Sequence, residues 1–277
     1  MSRKAQQQSK ADRQEAARRV AERSTPRTPV IYETVSQHGE EEMARPAVSL
    51  WWSGIAAGLS ISFSLLAEAL LRLRIPDAPW RPLFTSLGYP VGFLIVVLGR
   101  QQLFTENTIT AVLPAMSHFS KRNLYRLGRL WGIVFLANMI GTLIAAAFIA
   151  FTPAVTGSAL DAMLQVSREA VEHGWLEMFF LAIPAGFLIA AMVWLLPSAG
   201  ESVQFHVVGL MTYLIGLGGF AHIVAGSVEA FLLLWRGELG LGAVLGGFTL
   251  PVLFGNIIGG TVLFALISYA QVMREIE

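Results

Sequence analysis

Leu98-Gly99-Arg100-Gln101-Gln102-Leu103-Phe104-Thr105-Glu106-Asn107 breaks an apolar run that extends from about residue 83 to residue 117. A helix needs only about 20 apolar residues to cross the hydrocarbon core of a bilayer. This run is longer than one straight crossing, and it carries glycine and polar side chains at its middle, which is the pattern of a discontinuous helix. A second stretch repeats it. Residues 203–235 form another over-long apolar run, interrupted at 216–226 by Gly216, Gly218, Gly219, His222 and Gly226. Around these two lie uninterrupted apolar segments at roughly 48–71, 129–151, 174–196 (with Pro184 inside) and 247–271. The expectation is an all-α integral membrane protein of six transmembrane helices, the second and fifth broken.

Composition agrees. Of 277 residues, 54% are hydrophobic and 14% charged, with a mean hydropathy of +0.57; a soluble domain carries about 25% charged residues. Residues 1–47 read as a polar, basic, cytoplasmic tail, 48–271 as the membrane domain and 272–277 as a short cytoplasmic C-terminus. Arg13, Arg18, Arg19 and Arg23 could instead lie along a helix on anionic headgroups. The N-terminus lacks an apolar stretch beside the initiator Met, so the first apolar segment is expected to remain as an uncleaved span. There is no cysteine, which excludes disulfides and thiolate metal sites. No nucleophile–base arrangement, phosphate loop or metal cluster stands out. No enzyme activity, cofactor, metal or nucleic-acid partner is expected.

Basic residues set the orientation. With both termini cytoplasmic, the inside segments hold 14 Lys and Arg, four of them in the loop 118–130 (Lys121, Arg122, Arg126, Arg129), against five outside. This excess satisfies the positive-inside rule with an even number of spans. The halves also echo each other. Thr105 precedes Asn138-Met139-Ile140-Gly141 by 33 residues, and His222 precedes Asn256-Ile257-Ile258-Gly259 by 34. Three spans per half is an odd number, so the second half enters from the opposite side. Inverted repeats of this kind place a solute path at the midplane, where the broken helices meet. Asn138, Gly141, Gly226, Asn256 and Gly259 are read as structural residues at the breaks, the asparagines bonding exposed backbone and the glycines allowing close packing.

Leu103-Phe104-Thr105, Asn138 to Gly141, Phe220-Ala221-His222 and Pro251-Val252-Leu253-Phe254-Gly255-Asn256-Ile257-Ile258-Gly259-Gly260 together resemble the formate/nitrite transporter family, in its divergent YfdC-type branch. The likeness covers roughly residues 48–271. It implies an aquaporin-like protomer, a homopentamer with one pore per protomer, and transport of a small monovalent anion such as formate, nitrite or hydrosulfide, often with a proton. It places the chain in a bacterial-type inner membrane, with the lipid bilayer and its own copies as partners. The Leu-Phe-Thr loop and the histidine, which flank the pore centre in the family, map to Leu103, Phe104, Thr105 and His222. The chain departs from the pattern at Arg100 (usually Gly), Gln102 (usually Glu), Gly226 (usually Asn) and Ala170 (usually Lys).

Arg100, Gln102, Leu103, Phe104, Thr105, Phe220 and His222 are therefore the expected pore and substrate residues. The imidazole titrates near neutrality and could hand a proton to a weak-acid anion. Thr105 offers a hydroxyl to a solute or to the histidine, or caps a half-helix starting at Glu106. Leu103 and Phe104 narrow the path or pack in the core. Arg100 either pairs with Glu68, Glu106, Glu177 or Glu229, or attracts an anion. Glu106 and Glu229 are expected as caps of the half-helices; facing the pore, they would repel anions. Six tryptophans (Trp51, Trp52, Trp80, Trp175, Trp194, Trp235) near span ends suit an aromatic belt. The alternative to an anion pore is an aquaporin-like conductor of a small neutral solute.

Overall fold

The computed structural model describes residues 26–276, and all regular structure among them is helical. The possible headgroup-binding arginines lie outside the described residues. The elements run α1 (Thr28–Ala44), α2 (Ala47–Arg74), α3 (Arg81–Thr85), α4 (Pro90–Leu98), α5 (Asn107–Thr110), α6 (Val112–Ser117), α7 (Lys121–Phe151), α8 (Ser158–Val171), α9 (Trp175–Leu195), α10 (Glu201–Leu217) and α11 (Ile223–Trp235). They end with α12 (Leu250–Ile257), set between two wider π-helical stretches (Ala243–Thr249 and Ile258–Ala265), and α13 (Leu266–Ile276).

Among the described residues five helices are long and apolar enough to cross a membrane: Ala47–Arg74, Arg81–Leu98, Lys121–Phe151, Trp175–Ser198 and Ala243–Glu275. The two runs expected to be broken are each divided into shorter helices. The run expected as a fifth span is divided into α10 and α11, of 17 and 13 residues, because the chain turns between them. The second expected span reaches crossing length only in its first part, and α5 and α6 follow as short pieces.

The small residues expected at contacts let backbones meet. A Cβ at Gly58 of α2 would meet the Asn138 carbonyl and Gly141 of α7, and one at Gly186 of α9 would meet the Asn256 backbone. These two close pairings hold the long helices in register and set the asparagines opposite the breaks.

Two helices were not expected. Residues 28–44, read from composition as polar tail, form α1, which buries Tyr32, Val35 and Met43. Gly39 rests against the Thr110 carbonyl, and the Tyr32 hydroxyl shares a hydrogen bond with Ser117. Arg126 of α7 pairs with Glu40 at 2.9 Å. The second is α8, between α7 and α9, which buries Met163, Leu164 and Val166 on its inner face. Its Arg168 reaches Glu238 with two hydrogen bonds, 2.6 and 2.9 Å.

Candidate functional site

The two breaks have the same backbone geometry. α4 ends with Gly99 N–H donating to Ile95, Arg100 N–H to Val97 and Gln101 N–H to Val96. α10 ends with Gly218 donating to Leu214, Gly219 to Gly216 and Phe220 to Ile215. Each is a helix C-terminus closed by one residue in the left-handed region. In the second break that residue is Gly219, φ 60°; in the first it is Arg100, φ 54°. Among the described residues Arg100 alone adopts positive φ without being glycine.

One asparagine then holds each extended segment. Asn138 donates through Nδ2 to Gln102 O and Gly54 O, both at 2.8 Å, and its Oδ1 accepts from Phe104 N–H at 2.9 Å. Asn256 donates to Ala221 O at 2.9 Å and Ala182 O at 2.8 Å, and accepts from Ile223 N–H at 2.9 Å. The bonds match Gln102 with Ala221 and Phe104 with Ile223. Leu103 therefore stands at the position of His222, and Thr105 is not the counterpart of the histidine. The 33- and 34-residue separations noted above compare chemically similar residues two positions out of register.

Thr105 and His222 nevertheless meet. Thr105 Oγ1 and His222 Nε2 are 2.8 Å apart, and both residues are buried. His222 is also the cap of α11: its Nδ1 accepts from the Ala225 N–H at 3.2 Å. An accepting Nδ1 has no proton, so the neutral ring carries its hydrogen on Nε2 and donates it to Thr105 Oγ1. The Thr105 O–H is then free to donate elsewhere. Phe93 stands edge-on to the imidazole, ring centres 5.0 Å apart. Thr105 does not cap the following helix, which starts at Asn107 without a side-chain cap.

A cavity of about 740 Å³ opens on the first break, lined by Arg100, Gln101, Gln102 and Glu106, together with Glu41 and Glu42 of α1 and Arg45 just after it. One of about 180 Å³ opens on the second break, lined by Phe220, Ala221, His222, Gly226 and Glu229, and by Glu68 of α2 and Glu169 of α8. The two share no lining residue. Arg100 and His222 thus face different spaces, and Ala170 lines the smaller one. Thr105, Leu103 and Phe104 line neither. Leu103 and Phe104 are buried, and the Phe104 ring packs edge-on against Trp131 and Phe135 of α7.

Gln102 keeps an acceptor role without charge: its Oε1 accepts from Asn107 Nδ2 at 3.2 Å. Asn107 in turn receives the Trp131 indole N–H through its carbonyl at 3.0 Å. Arg100 makes no ion pair among the described residues. Glu106 lines its cavity, Glu177 is held by His173, and Glu68 and Glu229 lie at the other cavity. Glu229 is no cap either; it sits in the second turn of α11, buried, on the cavity side. Gly226 leaves room for a ring, since a Cβ there would meet Phe248 and come within 3.5 Å of Glu229 Oε2. Asn107, Phe93 and Phe248 were missed. A polar residue inside an apolar run could have flagged Asn107, whereas nothing distinguishes the two phenylalanines from core.

A sequence profile described as "Formate/nitrite transporter" matches residues 29–270. The chain is 45% identical over 251 residues to the inner membrane protein YfdC of Escherichia coli, covering 91% of this chain and 81% of that protein. Two solved structures share its fold. An "FNT family ion channel" gives a TM-score of 0.77 at 16% identity, over 87% of this chain and 98% of the other. A "pentameric formate channel with formate bound" gives 0.67 at 20% identity, over 82% and 98%.

Proposed function

The chain belongs to the formate/nitrite transporter family, and from that premise we propose that it conducts a small monovalent anion of the formate, nitrite or hydrosulfide kind, accompanied by a proton. The observation that carries the reading is the Thr105–His222 contact, 2.8 Å, which joins the two breaks between two cavities. With Nε2–H directed to Thr105 Oγ1, the hydroxyl hydrogen is available to an oxygen of the solute. A weak acid crossing here gains a donor while shedding water, and association with a proton removes the charge that makes the dehydrated zone costly.

The rest of the arrangement follows the family. Six crossings, with the second and fifth broken, form two inverted three-helix repeats; the paired left-handed turns and paired asparagine clamps support this. Five copies surround a central axis, each with its own pore; the pentameric state of the formate channel that shares this fold supports the assembly. Wide exposed apolar surfaces such as Phe148, Phe151, Phe180 and Phe254 suit lipid and neighbouring copies. The chain sits in an inner membrane, as YfdC's name states for that protein, with both termini cytoplasmic. No catalytic role is assigned to any residue.

A second reading, conduction of a small neutral solute, is favoured by one observation: carboxylates outnumber cations at both cavities (Glu41, Glu42 and Glu106 beside Arg45 and Arg100; Glu68, Glu169 and Glu229 with no Lys or Arg). A proteoliposome screen of formate, nitrite, hydrosulfide, acetate and glycerol at two pH values separates the readings. Saturable anion uptake that rises on acidification, and is lost in Thr105→Val but kept in Thr105→Ser, is the expected result. Glycerol permeation without anion uptake would sink the anion reading.

A further inference from the structure

Glu229 is a buried ionisable group that the path described so far leaves idle. Only 7% of it is exposed, it lines the smaller cavity, and among the described residues it makes no hydrogen bond or ion pair. It lies seven residues after His222, two helical turns along the same face of α11, or about 10 Å along the axis. Between them Gly226 adds no side chain, and the carboxyl stands beside it.

The groups that face Glu229 are few. Glu68 comes from α2, Tyr89 from the turn before α4, Glu169 from α8 and His173 from the turn that follows; His222 begins the same helix. Arg72 is taken up by Glu169, at 2.5 Å, and His173 by Glu177 at 3.0 Å. α7 and the sixth span present no charged group to the cavity. An isolated carboxylate buried in this way is costly unless a positive charge joins it. The cavity, about 180 Å³, has room for a few waters or a small ion.

We propose that Glu229, with Glu68 of the same cavity, is the acceptor for the positive charge that travels with the anion: a proton, or a small monovalent cation of the ammonium kind. The inference rests on the anion reading above and supplies the group that reading leaves out, since the His222 ring already uses Nδ1 as a cap and Nε2 on Thr105. In the proton form, hydronium in the cavity gives a proton to a Glu229 oxygen and leaves water. The Glu229 O–H bond then breaks as the proton passes through cavity water to an oxygen of the solute, and the carboxylate is reset.

The test uses the full-length protein with Glu229→Gln, Glu229→Asp and, as control, Glu201→Gln, exposed and away from both cavities. Infrared difference spectra report the C=O stretch of protonated carboxyls without any flux. Proteoliposomes report protons taken up per formate, under a pH gradient or an ammonium gradient. The expected result is a protonated-carboxyl band and proton co-uptake in wild type, both lost in Glu229→Gln and kept in Glu229→Asp and the control. Coupling to ammonium in place of the pH gradient, again lost in Glu229→Gln, identifies the cation as the source. A Glu229→Gln protein that keeps both the band and the coupling ratio overturns the proposal, as does a wild type with neither band nor ammonium response. Wild-type vesicles that move no anion overturn the anion reading, while the carboxyl band still decides Glu229. If Glu229→Gln does not assemble, Glu229→Asp decides: a carboxyl band that stays at the wild-type position overturns the assignment.

Discussion

Arg100 occupies the left-handed region at φ 54°, where its counterpart Gly219 sits at 60°. For an L-residue with a Cβ this conformation costs roughly 1–2 kcal/mol, and glycine avoids it. Glycine also has more freedom to lose on folding, worth roughly 0.5–1 kcal/mol. Arg100→Gly should therefore stabilise the protein by a net ~0.5–1 kcal/mol, raising Tm by about 1–4 °C on the scale of a mid-sized domain. Arg100→Gln keeps the strained backbone and removes only the charge, so its Tm should not move. Thermal melts of the detergent-purified protein and anion flux in liposomes are read together. A strained residue retained at a functional position points to its side chain. Both variants should lose anion flux, Arg100→Lys should keep much of it, and Arg100→Gly should be the more stable of the two inactive proteins. Two results would refute the reasoning. A lower Tm in Arg100→Gly would mean that the guanidinium holds structure, and wild-type flux in Arg100→Gln would mean that its charge is idle. The reciprocal change, Gly219→Ala, imposes the strain on the second break and should lower Tm.

Asn138→Ala orphans the Phe104 N–H and the Gln102 carbonyl, and Asn256→Ala does the same to Ile223 and Ala221; at about 1–3 kcal/mol for each unsatisfied buried group, both should fall in Tm by similar amounts, and one silent variant would break the equivalence. Gly226→Ala drives a methyl into Phe248 and should cost about 1–3 kcal/mol as overpacking, with a less-than-additive loss when Phe248→Leu is added; strict additivity counts against the contact. The Glu238 carboxyl lies below its ordinary value, chiefly because Arg168 hydrogen-bonds it. A depressed carboxylate contributes above its unfolded value and loses that contribution as pH falls through the folded one. The α8 tether should therefore hold at neutral pH and release in acid or high salt, read as faster amide exchange in α8; exchange in Glu238→Gln should be fast at every pH.

The existence of both breaks was legible because run length and polar content are local properties: thirty-odd apolar residues with Arg100 or His222 at the middle do not suit one straight crossing. The asparagine clamps were legible too, since an amide in an apolar helix must find backbone partners. The register was not. Spacing was counted from Thr105 and His222, which look alike as pore residues, while the hydrogen bonds count from Phe104 and Ile223. Nothing in sequence marks which of two neighbours donates. α1 escaped for a different reason. Its core-facing Tyr32, Val35 and Met43 are diluted among Glu33, Gln37, Glu40 and Glu41, so composition alone reads as tail. In α8 the signal was present, with Leu160, Met163, Leu164 and Val171 at helical spacing, but a search tuned to membrane spans passes over an amphipathic surface helix. The pairing of Thr105 with His222 joins residues 117 apart, and only the fold brings them together.

The departures from the family pattern have connected physical consequences. Gln102 accepts from Asn107 as a glutamate would, but brings no charge to the first break. Gly226 makes room for Phe248 and leaves Glu229 beside an empty position. The carboxylate of the family pattern is absent near Thr105, and Glu229 stands in the cavity lined by His222. If the chemistry needs one carboxyl along the path and tolerates either place, Gln102→Glu should restore proton co-uptake to the Glu229→Gln protein. In the wild-type background it should lower anion flux by placing a second carboxylate near the solute. The comparison is a double-mutant cycle on the coupling ratio, whose interaction energy isolates the dependence of one site on the other. Independent effects would mean that position 229 acts alone and that the absence of charge at 102 is a separate event.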